Sequence, residues 1–250
     1  MIKLMDLLNE GVYDKGIFKA VFMAGGPGSG KSYVASNLFG IPEKINISVT
    51  GLKTVSSDVE FEQYLKKAGH SPKKLADYEK NNPELFVKLT SKDPKSLRSR
   101  AKKTTILRQK GYMAGKLGMI IDKTGDNYDK IATQKTDLEK LGYDTYMVFV
   151  NTTLEIAQER NKLRDRTLPE KMVEKIWKDV QKNIGGFQTL FTGGFVIVDN
   201  SDTLDPDAAA KKFAPYVKDH ADKWAKSPIK NKLGKLWVKT QLKLKKAGIK

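Results

Sequence analysis

The sequence predicts an α/β fold with a five-stranded parallel sheet, and three observations support this prediction. Five short runs rich in β-branched and aromatic residues recur along the 250 residues, at 17–24, 53–57, 119–122, 146–150 and 195–198. Helical patterns separate these runs, as expected where crossover helices connect parallel strands. A glycine-rich turn follows the first run directly, which is typical of sheets that present a phosphate-binding loop at a strand end.

Each predicted strand is followed by one or more segments with helical spacing. The predicted helices are 31–38, 60–67, 96–117, 130–141, 154–164 and 169–184. Their apolar residues recur every three or four positions. The stretch 61–116 is long for one crossover, and Pro72, Pro83 and Pro94 divide it into separate pieces. We therefore interpret about 61–116 as a helical insertion beside the site.

The two ends of the chain differ from the main domain, which we place at 17–222. Residues 1–16 begin with a short amphipathic pattern that predicts an N-terminal helix. Residues 223–250 contain ten lysines and no acidic residue, so this segment carries +10 of the net charge of +17. Apolar or small residues recur three or four apart there and predict a basic helical tail with one packed face: Ile229, Leu233, Leu236, Thr240, Leu244 and Ala247.

Composition excludes several classes of site and protein. The chain has no cysteine, which excludes disulfides, thiolate nucleophiles and zinc sites built from cysteine. No run of about eighteen apolar residues occurs, so we expect no membrane-spanning helix and a soluble, cytoplasmic protein. The charge of +17 favours an acidic partner, such as nucleic acid, a nucleotide, an anionic surface or an acidic protein.

The strongest functional signal is the segment after the first predicted strand. It matches the P-loop pattern G-x-x-x-x-G-K-[S/T] at Gly25, Gly26, Pro27, Gly28, Ser29, Gly30, Lys31 and Ser32. Glycines let the backbone N–H groups turn inward around phosphate oxygens. Lys31 is predicted to contact the β- and γ-phosphates of ATP, Ser32 to hold Mg²⁺, and Tyr33 to extend the cofactor site. The alternatives are a glycine turn without a ligand and a P-loop without catalytic activity.

Residues near the other strand ends favour a kinase over ATPases and GTPases. Asp122 ends the third strand and is a predicted magnesium-site residue. Lys123 follows it, where motor-type ATPases carry a glutamate, and no Asn-Lys-x-Asp motif follows the fourth strand. Asp58 lies at the predicted end of the second strand, where a carboxylate is placed to accept the proton of an attacking hydroxyl. The alternative is that Asp58 caps a helix near Glu60.

Three arginines follow the fourth predicted strand. Arg160 and Arg164 are one helical turn apart, and Arg166 lies where that helix should end. Such an arrangement suits a transition state that spreads charge over phosphoryl oxygens. The alternative is a solvated basic helix face, since charge runs commonly point into water.

These features occur in an order that resembles the zeta-toxin and polynucleotide-kinase group of P-loop kinases. The resemblance covers about 18–201 and includes Ile-Ile-Asp-Lys-Thr-Gly at 120–125. It implies a three-layer P-loop kinase-like fold with a helical lid, which we place at about 160–187. It also implies ATP and Mg²⁺ as cofactors, Lys31 and Ser32 as their ligands, Asp58 as the base and three lid arginines.

The same resemblance places Asn200, in the loop after the fifth strand, beside the adenine; an ordinary turn is the alternative there. Two departures from the group are a longer linker before Asp58 and Lys123 where these kinases often have glycine. Small kinases of this kind are frequent in phage genomes, so a phage origin, with the host cytoplasm as location, is open.

Two functions therefore compete. The first is a kinase whose acceptor hydroxyl belongs to a nucleic-acid 5′ end, a nucleotide sugar, a nucleotide or a protein. Basic residues of the insertion either suit a phosphate-bearing acceptor or form a solvated surface: Arg98, Arg100, Lys102, Lys103 and Arg108. The second is a nucleotide-gated protein with little or no phosphate transfer, whose tail binds nucleic acid or an acidic partner. Trp237 in that tail would stack on a base or pack internally.

Overall fold

The structure, a computed structural model, describes residues 11–42, 46–164, 167–201 and 218–248. Five strands form one sheet: β1 (Lys19–Ala24), β2 (Lys53–Val55), β3 (Met119–Asp122), β4 (Asp144–Asn151) and β5 (Phe195–Asp199). The order is β2-β3-β1-β4-β5, and every neighbouring pair is parallel. The predicted α/β fold with a five-stranded parallel sheet is therefore confirmed, and it is P-loop kinase-like.

The helices of the described residues lie between and after these strands. They are α1 (Lys31–Phe39), α2 (Ser57–Lys67), α3 (Leu75–Asn81), α4 (Pro83–Thr90), α5 (Leu97–Ala114), α6 (Tyr128–Lys140), α7 (Leu154–Lys162), α8 (Glu170–Leu190), α9 (Lys223–Lys226) and α10 (Lys232–Lys246). None of them is long and apolar enough to cross a membrane.

The central strand β1 is buried at all six positions, because helices cover both faces of a parallel sheet. Val21 and Met23 contact one apolar cluster, and Ala20 and Phe22 contact the other on the opposite face. Such continuous burial fixes the strand ends rigidly. The loops at the carboxyl ends of β1 and β3 therefore have a stable base for a site.

The second strand is shorter than predicted, and this changes the setting of Asp58. Strand β2 ends at Val55 instead of residue 57, and α2 begins at Ser57 instead of residue 60. Ser56 has extended backbone angles as the residue that precedes the helix. Asp58 and Glu60 lie in the first turn, where acidic side chains stabilise the positive end of the helix dipole. Asp58 is thus a helix residue and neither a strand end nor the N-cap.

The stretch between β2 and β3 folds into helices around a small apolar cluster of its own. The cluster is formed by Phe61, Leu65, Leu75, Leu89 and Ala101. The prolines stand at element starts, as expected: Pro72 begins a 3₁₀ turn and Pro83 begins α4. The division of the chain at 61–116 stays a prediction.

The basic tail is helical, but its predicted apolar face is wrong. Leu233 and Leu236 are 54% and 62% exposed, whereas Gly234 is buried and Trp237 packs edge-on against Phe18 at 5.4 Å. The reason is a close approach of two backbones, since a side chain at Gly234 would collide with the Gly142 carbonyl. That contact, rather than the leucines, decides which side of α10 faces the protein.

At the other end of the chain, residues 1–10 lie outside the described residues. Within 11–16 the structure has a 3₁₀ turn at Gly11–Tyr13. The predicted N-terminal helix thus falls mostly on residues that are not described.

Candidate functional site

The glycine-rich turn connects β1 to α1, as the sequence predicts. Gly28 and Gly30 have φ angles of 76° and 82°, in the left-handed region that favours glycine. A side chain at Gly30 would lie 2.5 Å from the Asn200 amide nitrogen, and one at Gly28 would collide with the backbone of Ala157. The loop therefore needs glycine both for its conformation and for the close approach of α7 and the β5 loop.

Lys31 lies at the centre of the turn. Its ammonium donates to the carbonyl oxygens of Gly25 at 2.7 Å and Gly26 at 3.3 Å. Burial lowers the pKa of Lys31, and the attraction of Asp122 partly opposes this shift. A cation that has lost water binds an incoming phosphate strongly, because charges interact strongly where the dielectric constant is low.

Asp122 stands at the carboxyl end of β3, beside Lys31. The Ser56 hydroxyl donates to Asp122 Oδ2 at 3.0 Å and so fixes the direction of the carboxylate. Burial raises the pKa of Asp122, while Lys31 and the Ser56 hydrogen bond favour its ionised form. Asp122 and the Ser32 hydroxyl line the same cavity. Hard oxygen ligands of this kind fit Mg²⁺, which binds through one or two carboxylates together with phosphate oxygens.

Asp58 lies at the mouth of the site, on the first turn of α2. Its Oδ1 forms an ion pair with Arg98 at 2.6 Å, yet its side chain is 59% exposed. The Arg98 guanidinium also donates to the Ser57 carbonyl and lies over the Phe61 ring at 5.2 Å. Arg98 thus connects the insertion to the site and orients the Asp58 carboxylate.

Arg160 contacts the phosphate-binding loop directly. Its guanidinium donates to the Gly28 carbonyl and to Asn200 Oδ1, each at 3.3 Å. The Asn200 amide in turn donates to the Ser29 carbonyl at 2.8 Å, and Asn200 is 3% exposed. In the structure Asn200 therefore supports the loop from behind, and its predicted place beside the adenine stays a prediction.

Arg164 does not lie on the same helix as Arg160, because α7 ends at Lys162. The Asn161 amide forms two hydrogen bonds with the Leu168 backbone, at 2.8 and 3.0 Å, which close the loop that carries Arg164. Arg160 and Arg164 nevertheless line one cavity. Arg166 lies outside the described residues.

One cavity of about 750 Å³ brings most of the predicted residues together. Its lining includes Lys31, Ser32, Tyr33, Asp58, Asp122, Arg160 and Arg164. A second cavity of about 540 Å³ meets the first at Lys31, Asp58, Arg98 and Arg164. The site therefore offers two adjoining compartments that share Asp58 in their lining, which suits a reaction between two bound molecules.

Sequence reasoning did not find two supporting residues. The Ser56 hydroxyl donates a hydrogen bond to Asp122 although 66 positions separate the two residues. Asn161 bonds to the Leu168 backbone and so closes the loop that carries Arg164. Serine and asparagine are common in turns and caps, so neither residue stands out in a single sequence. Arg98 was predicted only as one of several basic residues, and its pairing with Asp58 across 40 positions depends on the fold.

Comparison with known protein families gives one match. A family model described as an AAA domain matches residues 21–186, about two thirds of the chain. The matched range contains the phosphate-binding loop, Asp58, Asp122 and Arg160. Among curated proteins, none matches this sequence.

Several solved structures are similar in fold. A protein of the PezAT chromosomal toxin–antitoxin system of Streptococcus pneumoniae has 13% identity and a TM-score of 0.48, and the alignment covers 89% of this chain and 86% of that one. A gluconokinase from Sinorhizobium meliloti has 12% identity and a TM-score of 0.46, with coverages of 84% and 94%. For a shikimate kinase from Bacteroides thetaiotaomicron the identity is 12%, the TM-score 0.42 and the coverages 80% and 98%. These likenesses are too remote to assign an activity.

Proposed function

The chain belongs to the AAA domain family, and on this premise we propose that it is an ATP-dependent kinase that transfers the γ-phosphate to a hydroxyl group. The observation that carries the proposal is that Asp58 and Lys31 line two adjoining cavities, the first of which is also lined by the glycines of the phosphate-binding loop. A nucleotide in the first cavity and an acceptor in the second would meet at this carboxylate. The zeta-toxin and polynucleotide-kinase resemblance supports the same assignment.

In the proposed reaction the acceptor oxygen forms a bond to the γ-phosphorus, and the bond from that phosphorus to the β,γ-bridging oxygen of ATP breaks. Asp58 accepts the acceptor's proton, and ADP leaves with the bridging oxygen. Lys31, Arg160 and Arg164 stabilise the negative charge on the phosphoryl oxygens. Arg98 keeps the Asp58 carboxylate directed at the junction of the cavities.

Ser32 and Asp122 would hold Mg²⁺. When bound, this ion neutralises charge on the β- and γ-phosphates. The chain's own contribution is the fixed direction of the Asp122 carboxylate, which the Ser56 hydroxyl provides. Lys123 beside it offers no carboxylate to activate water, which favours transfer to a hydroxyl over hydrolysis.

The test is to incubate the protein with γ-labelled ATP and an extract of metabolites and nucleic acids and to identify what gains label. Asp58→Asn should reduce incorporation by about 10²–10⁴-fold because the base is lost, with unchanged ATP binding by calorimetry. Asp179→Asn, on an exposed part of α8, is the matched control and should behave as wild type. If Asp58→Asn incorporates as much label as the wild-type protein, Asp58 is not the base. If the wild-type protein does not bind ATP in calorimetry, the proposed kinase function is wrong.

We further propose that the basic tail binds nucleic acid. Five lysines of α10 form one exposed stripe at intervals of three or four residues: Lys232, Lys235, Lys239, Lys243 and Lys246. Residues 223–248 contain no acidic side chain to neutralise them. Trp237 packs internally against Phe18 and so does not support base stacking. Attraction to phosphates is thus the chemistry that this surface offers. A cytoplasmic location and a phage origin remain predictions.

The tail is tested by changing Lys235, Lys239 and Lys243 together to glutamine. The slope of log affinity for a single-stranded oligonucleotide against log salt should become shallower by about 2, because three phosphate contacts are lost. Changing Lys66, Lys67 and Lys73 to glutamine removes the same charge from another exposed surface and should leave the slope unchanged. Equal slopes for both triple variants would show that the stripe does not contact nucleic acid.

A further inference from the structure

The phosphate-loop cavity carries an excess of positive charge. Seven cationic side chains line it: Lys31, Arg98, Lys102, Lys123, Lys130, Arg160 and Arg164. Three acidic side chains line the same cavity: Asp58, Asp122 and Asp126. The formal difference is four positive charges, seven minus three. ATP with its Mg²⁺ has a net charge of about −2, because the metal neutralises part of the phosphate charge, so a bound nucleotide would leave about two positive charges unbalanced.

The cations lie on two sides of the phosphate-binding loop. The strand order places β4 on one side of β1 and β3 on the other. Arg160 belongs to α7, which follows β4, whereas Lys123 follows β3 directly and Lys130 lies on the next helix, α6. Lys102 is one turn after Arg98 on α5, the helix that precedes β3. Lys102, Lys123 and Lys130, called the β3-side lysines below, therefore line the cavity away from Arg160.

The β3-side lysines have no counter-charge of their own. Arg98 is paired with Asp58 at 2.6 Å, but no carboxylate of the described residues forms an ion pair with a β3-side lysine. Burial lowers the pKa of Lys123, which Asp122 partly opposes, and repulsion by the nearby Lys130 lowers it further. Two ammonium groups are thus held close enough to repel each other. An anionic ligand of the cavity would offset this repulsion.

The chemistry of the three side chains favours a terminal phosphate as that ligand. A carboxylate is matched best by the planar fork of one arginine, whereas lysines act as point charges that can converge on a phosphate. A phosphate monoester carries about −1.5 to −2 at neutral pH, which matches the charge that ATP and Mg²⁺ leave unbalanced. An internal phosphodiester carries about −1 and would leave part of that charge without a partner.

We propose that the β3-side lysines bind a phosphate monoester of the acceptor, so that the acceptor is a small hydroxyl compound that already carries a terminal phosphate. Its hydroxyl lies at Asp58 and its phosphate lies on the β3 side of the first cavity. The rest of the molecule reaches into the second cavity, which shares Asp58 and Arg98 with the first. Transfer then gives ADP and a product with two phosphates. The acceptor assignment rests on the proposed kinase function, whereas the anion site is independent of catalysis.

The anion site is tested without catalysis, with inorganic phosphate as the probe. The protein is first saturated with Mg²⁺ and β,γ-imido-ATP, a non-hydrolysable analogue that occupies the phosphate-binding loop, and calorimetry then measures phosphate binding. We expect a saturable site, and a Kd about tenfold weaker for Lys123→Gln and for Lys130→Gln, because each change removes a charge that contacts the phosphate. Lys130 is exposed, so its substitution should not disturb folding.

The matched control for the anion site is Lys103→Gln. Lys103 is exposed and adjoins Lys102 on α5, but it does not line the cavity. Lys103→Gln should keep the wild-type Kd for phosphate, whereas Lys102→Gln should bind more weakly. No saturable uptake, or the same Kd for the wild-type protein and all variants, would overturn the anion site. Equal losses for Lys102→Gln and Lys103→Gln would overturn it as well, since the overall charge of α5 would then explain the binding.

The acceptor class is tested by treating a low-molecular-mass extract with alkaline phosphatase, removing the phosphatase and adding γ-labelled ATP. A mock-treated extract with the same amount of free phosphate is the reference. Phosphatase treatment should abolish most of the label, because the terminal phosphate of the acceptor is lost. Lys102→Gln should raise the acceptor KM about tenfold in the mock-treated extract while the Kd for ATP stays unchanged.

The outcomes separate the acceptor assignment from the kinase function. Equal label in both extracts, together with lysine-dependent phosphate binding, would mean that the site holds free phosphate and would overturn the acceptor assignment. Label in neither extract, with ATP bound, would refute the kinase function, while the phosphate titration would still decide whether the anion site exists.

Discussion

The phosphate-binding loop and the tail helix use lysine in opposite ways. Lys31 has its ammonium between the Gly25 and Gly26 carbonyls, and burial lowers its pKa. All nine tail lysines within 223–248 are exposed instead. One region holds a single half-buried cation beneath the phosphate-binding loop, and the other exposes many cations to water.

This comparison shows that the number of charges in a segment does not indicate where the candidate site lies. The last 28 residues carry +10 of the net charge of +17, yet the candidate site lies elsewhere. A desolvated cation interacts strongly with one ligand, whereas exposed charges are screened by salt over about 10 Å. A partly buried charge therefore suits phosphate transfer, and exposed charges suit salt-dependent binding of a polyanion.

The largest expected effect is on the rate of phosphate transfer, when one lysine of each region is replaced by alanine in separate variants. Lys31→Ala should lower phosphate transfer by at least about 10³-fold, because the cation proposed to contact the phosphates is lost. Lys239→Ala, which removes the same charge from the tail stripe, should leave transfer unchanged. Steady-state rates with labelled ATP measure both. A similar loss for the two variants would contradict the distinction between the regions.

A second prediction concerns the buried carboxylate of Asp144, which binds the backbone just before the tail helix α10. Asp144 accepts hydrogen bonds from the Lys19 ammonium at 2.9 Å and from the Lys230 and Asn231 backbone N–H groups, each at 2.8 Å. Asp144→Asn should lower the free energy of unfolding by about 3 kcal/mol, because Lys19 stays buried without its counter-charge. Urea denaturation measures the change.

The control for Asp144→Asn is Asp179→Asn, which breaks an exposed pair with Lys175 and should produce no measurable change in the same experiment. Replacing Lys19 by Met and Asp144 by Leu together should restore part of the loss, since no unpaired charge then remains. Equal free energies of unfolding for Asp144→Asn and the wild-type protein would show that the Asp144 charge does not stabilise the fold.

The smallest effect is a pH dependence. Burial lowers the pKa of Lys31 below its ordinary value of 10.5, and ATP binding requires the charged ammonium. As the pH rises through that lowered pKa, the lysine loses its proton and the Kd for ATP should rise about tenfold per pH unit. Calorimetry at constant ionic strength should therefore show weakening that begins below pH 10.5.

Lys31→Arg keeps its charge over the same range, so its Kd for ATP should stay level with pH even if it is weaker overall. A level profile for the wild-type protein up to pH 10.5 would show that Lys31 is not the titrating group. Parallel profiles for the two proteins would assign the pH effect to another residue.

Much of the fold could be predicted because the deciding patterns are local. Strand β3 occupies 119–122 as predicted, and α1 begins at Lys31 directly after the glycine turn. The second strand was predicted two residues too long, because the strand pattern was extended through Ser56 and Ser57, although serine and aspartate favour a helix start. The tail helix was predicted, but its packed face was not, since a glycine contact outweighed the leucine spacing.

The sequence by itself determined the phosphate-binding loop, the parallel sheet and the excess of tail charge, since each of these depends on residues close together in the chain. Only the tertiary structure decided that Arg98 orients Asp58, that Ser56 holds Asp122, and that a second cavity adjoins the phosphate-binding loop. Those contacts join residues tens of positions apart, and their energies come from burial and distance, which spacing along the chain does not encode.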